Sequence, residues 1–199
     1  MPDQEQTFRI IPDDWLNPLP VARLFEHPAR PLEVDMGCGK GRFLLAHAAG
    51  HPEVNFLGID RMLRRVRALD RKARRRGLTH VRLLRMEAYY ATTYLLPADA
   101  VTTFYIFFPD PWPKKRHHEH RLFNPRYMDA LHRTLRAGGR VHFATDHMPY
   151  FEEVCGLFRA DARFREVEPY IPNEQERTDF ELWYIRQGEV GRMSVEKVE

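Results

Sequence analysis

Residues 32–41 read LEVDMGCGKG, a short strand-like stretch that runs into three glycines spaced two residues apart. The first five residues, Leu32–Met36, predict a buried β-strand because apolar side chains dominate a short run bounded by a turn signal. The glycines let the backbone turn tightly and approach a bound molecule closely. A helix is predicted over residues 41–49, ended by Gly50 and Pro52. Strand, glycine-rich turn and helix in this order are typical of the first unit of a parallel α/β sheet.

The alternation of strand and helix continues along the whole chain. Further strands are predicted at Asn55–Asp60, Val81–Met86, Val101–Phe108, Arg140–Thr145, Phe164–Glu168 and Phe180–Arg186. Further helices are predicted at Met62–Arg76, at 125–137 behind an Asn124 cap and a first-turn Pro125, and at Pro149–Ala160. The sequence therefore predicts an α/β fold with a mostly parallel seven-stranded sheet and helices on both faces. Because no helix separates the last two strands, an antiparallel strand is expected at one edge.

Length and composition favour one globular domain over 1–199, with 43% hydrophobic residues. A proline-rich N-terminal extension of uncertain structure is expected over 1–30, and a mobile tail over 188–199. No apolar run approaches the ~20 residues of a membrane helix, and the first residues lack the basic and apolar regions of a secretory signal. Two cysteines are too few for a disulfide framework or a zinc cluster. We expect a cytoplasmic protein without a membrane or metal partner, and the oligomeric state, monomer or homodimer, stays open.

The net charge of +3 conceals a strong asymmetry along the chain. Residues 61–140 carry 19 Lys and Arg against 6 Asp and Glu, whereas residues 151–199 carry 7 against 12. A middle segment this basic indicates a polyanionic partner. An arginine-rich surface that is merely solvated is the alternative.

The spacing of Gly37, Gly39 and Gly41 differs from the fingerprint of nicotinamide-dinucleotide sites. That fingerprint is Gly-x-Gly-x-x-Gly, whereas here Arg42 takes the sixth position and the third glycine comes one residue early. The loop resembles the S-adenosylmethionine loop of class I methyltransferases more than a nicotinamide site.

Three acids accompany the predicted strands at this end of the sheet. Asp60 ends the second strand, where an acid can accept both hydroxyls of a ribose. Glu87 follows the third strand, where a carboxylate can accept an adenine amino group, and Glu33 stands before the glycines, in reach of a cofactor's ammonium group. Acids after successive strands indicate a nucleotide-like ligand, with a nucleotide site of another kind as the alternative.

A proline-framed loop follows the fourth of these strands. Residues 109–113 read PDPWP, so that three prolines frame the carboxylate of Asp110 and the ring of Trp112. The sequence KKR follows at 114–116, and histidines follow at 117, 118 and 120. A carboxylate and an aromatic ring beside a positive cluster suit a base and its phosphates. The histidines share one loop without a thiolate or helical spacing, so no metal site is predicted there.

These motifs together resemble the bacterial tRNA (guanine-N7)-methyltransferases. The resemblance is carried by FPDPWPKKRH at 108–117, ATD at 144–146 and TDFE at 178–181, together with the glycine loop and the acids. It implies a Rossmann-like class I methyltransferase fold. It also implies transfer of a methyl group from S-adenosylmethionine to N7 of guanine 46 in the variable loop of tRNA.

The resemblance also implies roles for individual residues. Cofactor contacts are expected from Glu33, Gly37, Gly39, Gly41, Asp60, Glu87 and Asp110. Asp110 is expected to be the catalytic residue as well. Substrate contacts are expected from Lys114, Asp146, Thr178, Asp179, Phe180 and Glu181. Two positions depart from the family pattern: Glu87 stands where the family usually shows His-Asp, and Asp179 replaces a common lysine.

The N7 atom of guanine is already a nucleophile, so the expected chemistry needs positioning rather than a base. A carboxylate beside the ring would stabilise the positive charge that develops on it and would recognise guanine donors; the division of these roles between Asp110 and Asp146 stays open. One alternative is a methyltransferase acting on exocyclic amines, which uses a related Asp-Pro-Pro-aromatic motif. The other is a tRNA-binding protein that has lost catalysis.

Overall fold

A computed structural model describes residues 7–184 and 188–198 of the chain. Its central feature is one sheet, whose strands are β1 (Arg9–Ile10), β2 (Leu32–Met36), β3 (Asn55–Asp60), β4 (Val81–Arg85), β5 (Val101–Phe107), β6 (Leu135–Thr145), β7 (Phe164–Val167) and β8 (Gly191–Lys197). The spatial order is β1-β4-β3-β2-β5-β6-β8-β7. Strand β8 runs antiparallel to both neighbours, and the other pairings are parallel.

The helices are α1 (Arg42–Gly50), α2 (Leu63–Arg75), α3 (Ala88–Tyr90), α4 (Pro125–Thr134), α5 (Met148–Arg159) and α6 (Asp179–Tyr184). A π-helix over Ala91–Leu95 continues α3, and 3₁₀-helices cover Val21–Arg23 and Lys115–His120. Within residues 7–184 and 188–198, no helix combines the length and the apolar composition needed to cross a membrane.

The core consists of two apolar layers, one on each face of the sheet. Helices α4 and α5 contribute to the larger layer, and α1 and α2 contribute to the smaller one. Val66, Leu69 and Ala73 are buried on one side of α2, as the helical spacing predicts. The α/β fold with helices on both faces is therefore confirmed.

Strand order reverses beside β2, because β3 and β4 lie on one side of it and β5 and β6 on the other. At such a switch point the loops after neighbouring strands diverge and leave a crevice at the carboxyl ends. The loop after β2 packs closely against α2, because a Cβ atom on Gly41 would lie only 2.1 Å from Cδ1 of Leu69. Gly41 also has a positive φ of +75°. The glycine is thus required both by the backbone conformation and by the contact between the loop and α2.

The end of the chain differs from the prediction. Residues 180–184 belong to α6 rather than to a strand, because the Thr178 hydroxyl accepts a hydrogen bond from the Glu181 amide at 3.0 Å and caps the helix. The rest of that predicted strand, at 185 and 186, lies outside the described residues. The expected mobile tail at 188–199 is wrong for Gly191–Lys197, which forms β8 and buries Met193 and Val195.

The edges of the sheet also differ from the prediction. An antiparallel pair does form one edge, β7 with β8, but its second strand is Gly191–Lys197 instead of the predicted 180–186, and this strand lies between β6 and β7. The N-terminal extension adds an eighth strand, because Arg9–Ile10 pairs in parallel with β4. The amide of Phe8 supports this addition by donating to the Asp70 carboxylate on α2 at 2.8 Å. Long-range contacts, rather than local sequence pattern, determine these two strands: Phe8 is buried beside β1, and Met193 and Val195 are buried in β8.

Candidate active site

A cleft of about 1100 Å³ lies at the carboxyl ends of the parallel strands. Its walls come from the segments that follow β2, β3, β4 and β5 and from the start of α4. Of the predicted cofactor residues, Gly37, Asp60, Glu87 and Asp110 line it, whereas Glu33, Gly39 and Gly41 do not. Trp112, His118 and His120 from the loop after β5 also line it, as do Asn124 and Pro125 at the start of α4. Met36, Ile59, Met62 and Met86 give the same cleft apolar surfaces. The switch point of the sheet is therefore open to a ligand with both polar and apolar parts.

The glycine loop is held against the neighbouring strand. The amides of Gly37 and Cys38 donate to the Ile59 carbonyl at 2.8 and 3.0 Å. The Gly39 amide donates to the Asp60 carboxylate at 3.0 Å, and the Met62 amide donates to the same group at 2.7 Å. Asp60 thus fixes the turns on both sides of the cleft floor, while its buried carboxylate still borders the cleft.

Glu87 caps the next helix along the rim. Its carboxylate accepts hydrogen bonds from the amides of Tyr89 at 2.9 Å and Tyr90 at 2.8 Å. A carboxylate at a helix N-terminus is stabilised by these otherwise unpaired amides and by the helix dipole. The side chain is exposed and lines the cleft, so the capping geometry also fixes where the carboxylate stands.

The proline-framed loop adopts an unusual backbone. Phe108 and Trp112 have φ angles of +53° and +44°, a region that bulky residues enter at a cost of about 1–3 kcal/mol each. The Phe108 amide donates to the Ala144 carbonyl at 2.8 Å, which ties the loop to β6. Asp110 projects from this loop into the cleft rim, and its side chain is 70% exposed. Its carboxylate lies 3.8 Å from the Arg61 guanidinium.

Arg121 holds the proline-framed loop in place through its guanidinium group, a role that was not predicted from the sequence. Only 4% of the residue is exposed, and its Nε donates to the Pro111 carbonyl at 2.8 Å. The guanidinium also lies 4.9 Å from the ring centre of Tyr150 and pairs with Glu153. A buried cation fixed on three sides holds the strained backbone beside Asp110 in place.

Trp112 lines the cleft and also packs against the loop histidines. The Trp112 ring packs against His117 and His120, with centroid distances of 5.9 and 5.0 Å. Lys114 is exposed and precedes the 3₁₀-helix. Asp146 is half-buried just after β6; it is not among the residues that line the cleft.

The TDFE segment reaches the same rim through its phenylalanine. The rings of Phe180 and Phe108 have centroids 5.0 Å apart, and Phe180 is 41% exposed. Thr178 caps α6, as described above, and Asp179 is exposed. Glu181 differs, because it is 1% exposed and forms ion pairs with Arg192 and, at 3.7 Å, with Arg177.

Glu33 does not line the cleft. Its carboxylate accepts a hydrogen bond from the Tyr105 hydroxyl at 3.0 Å and lies 3.4 Å from Nε2 of His47. Nδ1 of His47 contacts Glu176 at 2.7 Å. Burial by itself lowers the pKa of His47, but the two carboxylates outweigh it and the net pKa is raised. Glu33 is therefore part of a buried ion-pair network beneath the site.

Among the described residues, three candidate metal ligands lie close together at this network, whereas the loop histidines form no such group. Within the described part of the chain, one group brings three candidate ligands together: atoms of His47, His51 and Glu176 lie within 4.8 Å of one another. His47 already contacts carboxylates through both ring nitrogens, so ion pairing accounts for the proximity.

Asp35 is the acid that the sequence analysis overlooked. It is 5% exposed, and it forms no hydrogen bond or ion pair with the described residues. Burial raises the pKa of its carboxyl group to about 7, and nearby His47 lowers it while Asp60 raises it. An unpartnered acid next to the glycine loop is unusual in a structural role and favours a ligand contact. Its place two residues before Gly37 was the available signal.

Comparisons with known proteins place these features in a family. A family model described as a putative methyltransferase matches residues 29–188. The tRNA (guanine-N7)-methyltransferase of Nitrosococcus oceani is 35% identical over 172 residues, covering 86% of this chain and 72% of that protein. The enzyme of the same name from Halorhodospira halophila is 37% identical over 167 residues, covering 80% and 71%.

Solved structures confirm the fold at lower identity. The antibiotic-resistance methyltransferase Kmr has a TM-score of 0.58 at 20% identity, with 86% of this chain and 88% of that chain covered. An rRNA methylase from Streptococcus thermophilus has a TM-score of 0.56 at 15% identity, with 85% and 88% covered. With the family match over most of its length and these relatives, the chain belongs to the tRNA (guanine-N7)-methyltransferase family.

Proposed function

We propose that this protein transfers a methyl group from S-adenosylmethionine to N7 of a guanine in tRNA, guanine 46 of the variable loop. The observation that carries the proposal is the meeting of two motifs at one cleft. The proline-framed Asp110 and the glycine loop at Gly37 both line it. Because the proposed substrate is tRNA, we also propose that the protein acts in the cytoplasm.

The residues at the cleft fit the cofactor. Gly37 has φ +80° and no heavy atom within 4 Å of a Cβ position, so the backbone is open to a close ligand. Asp60 and Glu87 offer carboxylate oxygens for ribose hydroxyls and an adenine amino group. Neither Glu33 nor Asp35 lines the cleft itself. We assign the contact with the cofactor's ammonium group to Asp35, which stands two residues before Gly37 and has no hydrogen bond or ion pair with the described residues, rather than to Glu33, which is engaged by Tyr105 and His47. The bound cofactor supplies a sulfonium-activated methyl group.

The protein's own residues orient the base and stabilise charge. N7 of guanine carries a free lone pair, so no residue has to remove a proton before transfer. Methylation leaves positive charge on the guanine ring, and the exposed Asp110 carboxylate at the rim stabilises that charge. Asp110 also accepts hydrogen bonds from N1–H or the 2-amino group, which adenine does not present in the same way. The Arg61 guanidinium lies 3.8 Å from this carboxylate, and both groups line the cleft.

The other predicted substrate residues surround this position. Phe180 packs on Phe108 beside Asp110 and offers an exposed ring face to a base. Lys114 lies on the same loop, where it contacts a phosphate or O6, and Asp146 follows the neighbouring strand β6. Asp179 is exposed next to Phe180. Glu181 acts indirectly, because its buried ion pairs hold α6 in place.

The test is methyl transfer to an unmodified tRNA transcript followed by aniline treatment, which cleaves at N7-methylguanosine. We expect cleavage at the variable-loop guanine with the wild-type protein. Asp110→Asn should lower kcat by about 100-fold or more, the scale of losing one group that stabilises transition-state charge, while tRNA binding persists. The matched control is Asp129→Asn, which changes an exposed carboxylate on α4 that pairs with Arg163. This variant should keep full activity.

Two results would contradict the proposal. Methylated tRNA that resists aniline would instead indicate an exocyclic-amine product. Binding of tRNA without any transfer would indicate a catalytically inactive binder.

A further inference from the structure

Four arginines form a stripe along the outward face of α2. Arg64, Arg67, Arg71 and Arg75 are all exposed, and none makes an ion pair or a hydrogen bond that the described part of the chain contains. At 100° per residue their side chains fall within an arc of about 80° and extend over about 17 Å of helix axis. The arc lies opposite the buried side of α2, so the whole stripe faces outwards.

The helix supplies no negative charge to this stripe. The only acid between Leu63 and Arg75 is Asp70, which is 5% exposed. It faces inwards, where it accepts from the Phe8 amide and lies 3.5 Å from Arg74. Arg67, Arg71 and Arg75 follow one another at intervals of four residues, and like charges at that spacing destabilise a helix by about 0.2–0.5 kcal/mol per pair. A face selected only for solubility would mix both signs.

Several exposed arginines near β6 and β7, at the other end of the sheet from α2, have carboxylate partners: Arg140 and Arg165 pair with Glu196, Arg159 with Glu166, and Arg163 with Asp129 and Asp161. Arg126 on α4 and Arg136 on β6 are exposed without an ion pair to the described residues, but they lie on different elements. The four arginines of α2 differ from both groups, because they form a continuous row of unpaired charges along one helix.

That element begins at the cleft. Arg61 and Arg65 line the cleft just before and within the first turn of α2, and Arg64 stands between them. The stripe therefore continues the positive rim of the cleft outwards along the molecule. We propose that the stripe binds the phosphate backbone of tRNA next to the target guanine. This inference rests on the proposed function and adds a second contact surface, beyond the cleft, for the same substrate.

Phosphate contacts have a measurable signature in salt. Each neutralised phosphate contributes about 0.7–0.9 to the slope of log affinity against log salt concentration. The variant Arg64→Gln/Arg67→Gln/Arg71→Gln/Arg75→Gln keeps good helix formers at all four positions. If at least three arginines contact phosphates, the slope for tRNA binding should fall by about 2 to 3, and the Kd at 100 mM salt should rise tenfold or more.

The matched control removes the same total charge elsewhere. Arg140→Gln/Arg159→Gln/Arg163→Gln/Arg165→Gln should retain the wild-type slope and nearly the wild-type Kd, because these side chains are paired and lie across the sheet. The stripe variant should retain kcat at saturating tRNA, since the stripe does not touch the reacting atoms. Circular dichroism of both variants establishes that the helices are intact.

Three outcomes would overturn the assignment. The first is a stripe variant that binds tRNA with the wild-type slope. The second is an equal loss of binding in both variants, which would indicate an effect of net charge alone. The third is a stripe variant that loses binding only to vesicles containing phosphatidylserine. Failure of the proposed function is distinct, because wild-type protein would then bind tRNA without forming the aniline-sensitive product.

Discussion

The carboxylates around the site fall into two regions that look alike in sequence and differ in structure. On the cleft rim, Glu87 and Asp110 are exposed, and Asp60 borders the cleft while accepting backbone amides. Beneath the rim, Glu33 and Glu181 are covered and bonded to His47 and Arg192. Asp110 and Asp60 lie beside the exposed cations Arg61 and Arg65 and still border the cleft. Glu33 and Glu181 do not line the cleft, and their partners His47 and Arg192 are largely covered. We propose that the acids lining the cleft contact the ligands and that Glu33 and Glu181 position the segments that carry the site.

The largest effect is expected from removing a buried carboxylate that the sequence had predicted to contact the substrate. Glu181→Ala leaves Arg192 buried without its partner, and breaking a buried pair costs about 3–5 kcal/mol. Unfolding in urea should show a loss of that size. Glu196→Ala, at an exposed pair with Arg140 and Arg165, is the control and should lose far less. If the Glu181→Ala protein is as stable as wild type but does not bind tRNA, Glu181 contacts the substrate, as the sequence predicted.

Asp35 belongs to neither region. It is buried, but it forms no hydrogen bond or ion pair with the described residues. Its pKa of about 7 lies above the value of about 3.9 in an unfolded chain. Its favourable contribution is therefore complete below pH 4 and is lost as the pH rises through 7. Asp35→Asn should consequently be more stable than wild type at pH 8, by a few kcal/mol at about 1.4 kcal/mol per pKa unit, and the gain should shrink towards pH 4.

The same variant tests the ligand role. Asp35→Asn should bind S-adenosylmethionine more weakly in calorimetry, whereas Glu33→Gln should retain most of the affinity. The reverse order of the two affinities would assign the ammonium contact to Glu33.

The smallest expected effect concerns the pH dependence of the buried network. Because the folded pKa of His47 is raised, its contribution is complete below its unfolded value of about 6.5 and declines as the pH rises through the folded pKa. The stability difference between wild type and His47→Gln should be larger at pH 5.5 than at pH 9. His132→Gln is the control: burial lowers the pKa of His132, so its contribution changes with pH in the opposite direction. A pH-independent effect of His47→Gln would mean that packing rather than ion pairing dominates.

Local signals in the sequence were sufficient for the elements around the cleft. The strand Asn55–Asp60 was predicted with its observed bounds, and the Asn124 cap was also correct, since its side chain accepts from the Tyr127 amide at 3.1 Å. Alternating apolar patterns, glycines and caps act over a few residues, so they can be read without the fold. The short helix after Glu87 was missed, because its cap is an acid that was assigned only to a ligand.

The α/β sheet, the glycine turn, and the acids and prolines that follow the strands could be predicted from the sequence, because each depends on neighbouring residues. Which acids line the cleft depends on the folded structure. Glu33 and Asp35 point to the same face of β2, and what separates them is the partners brought by α1 and β5, far along the chain. Strand β8 and the unpaired stripe on α2 were likewise decided by long-range contacts, since burial and ion pairing depend on segments that meet only after folding.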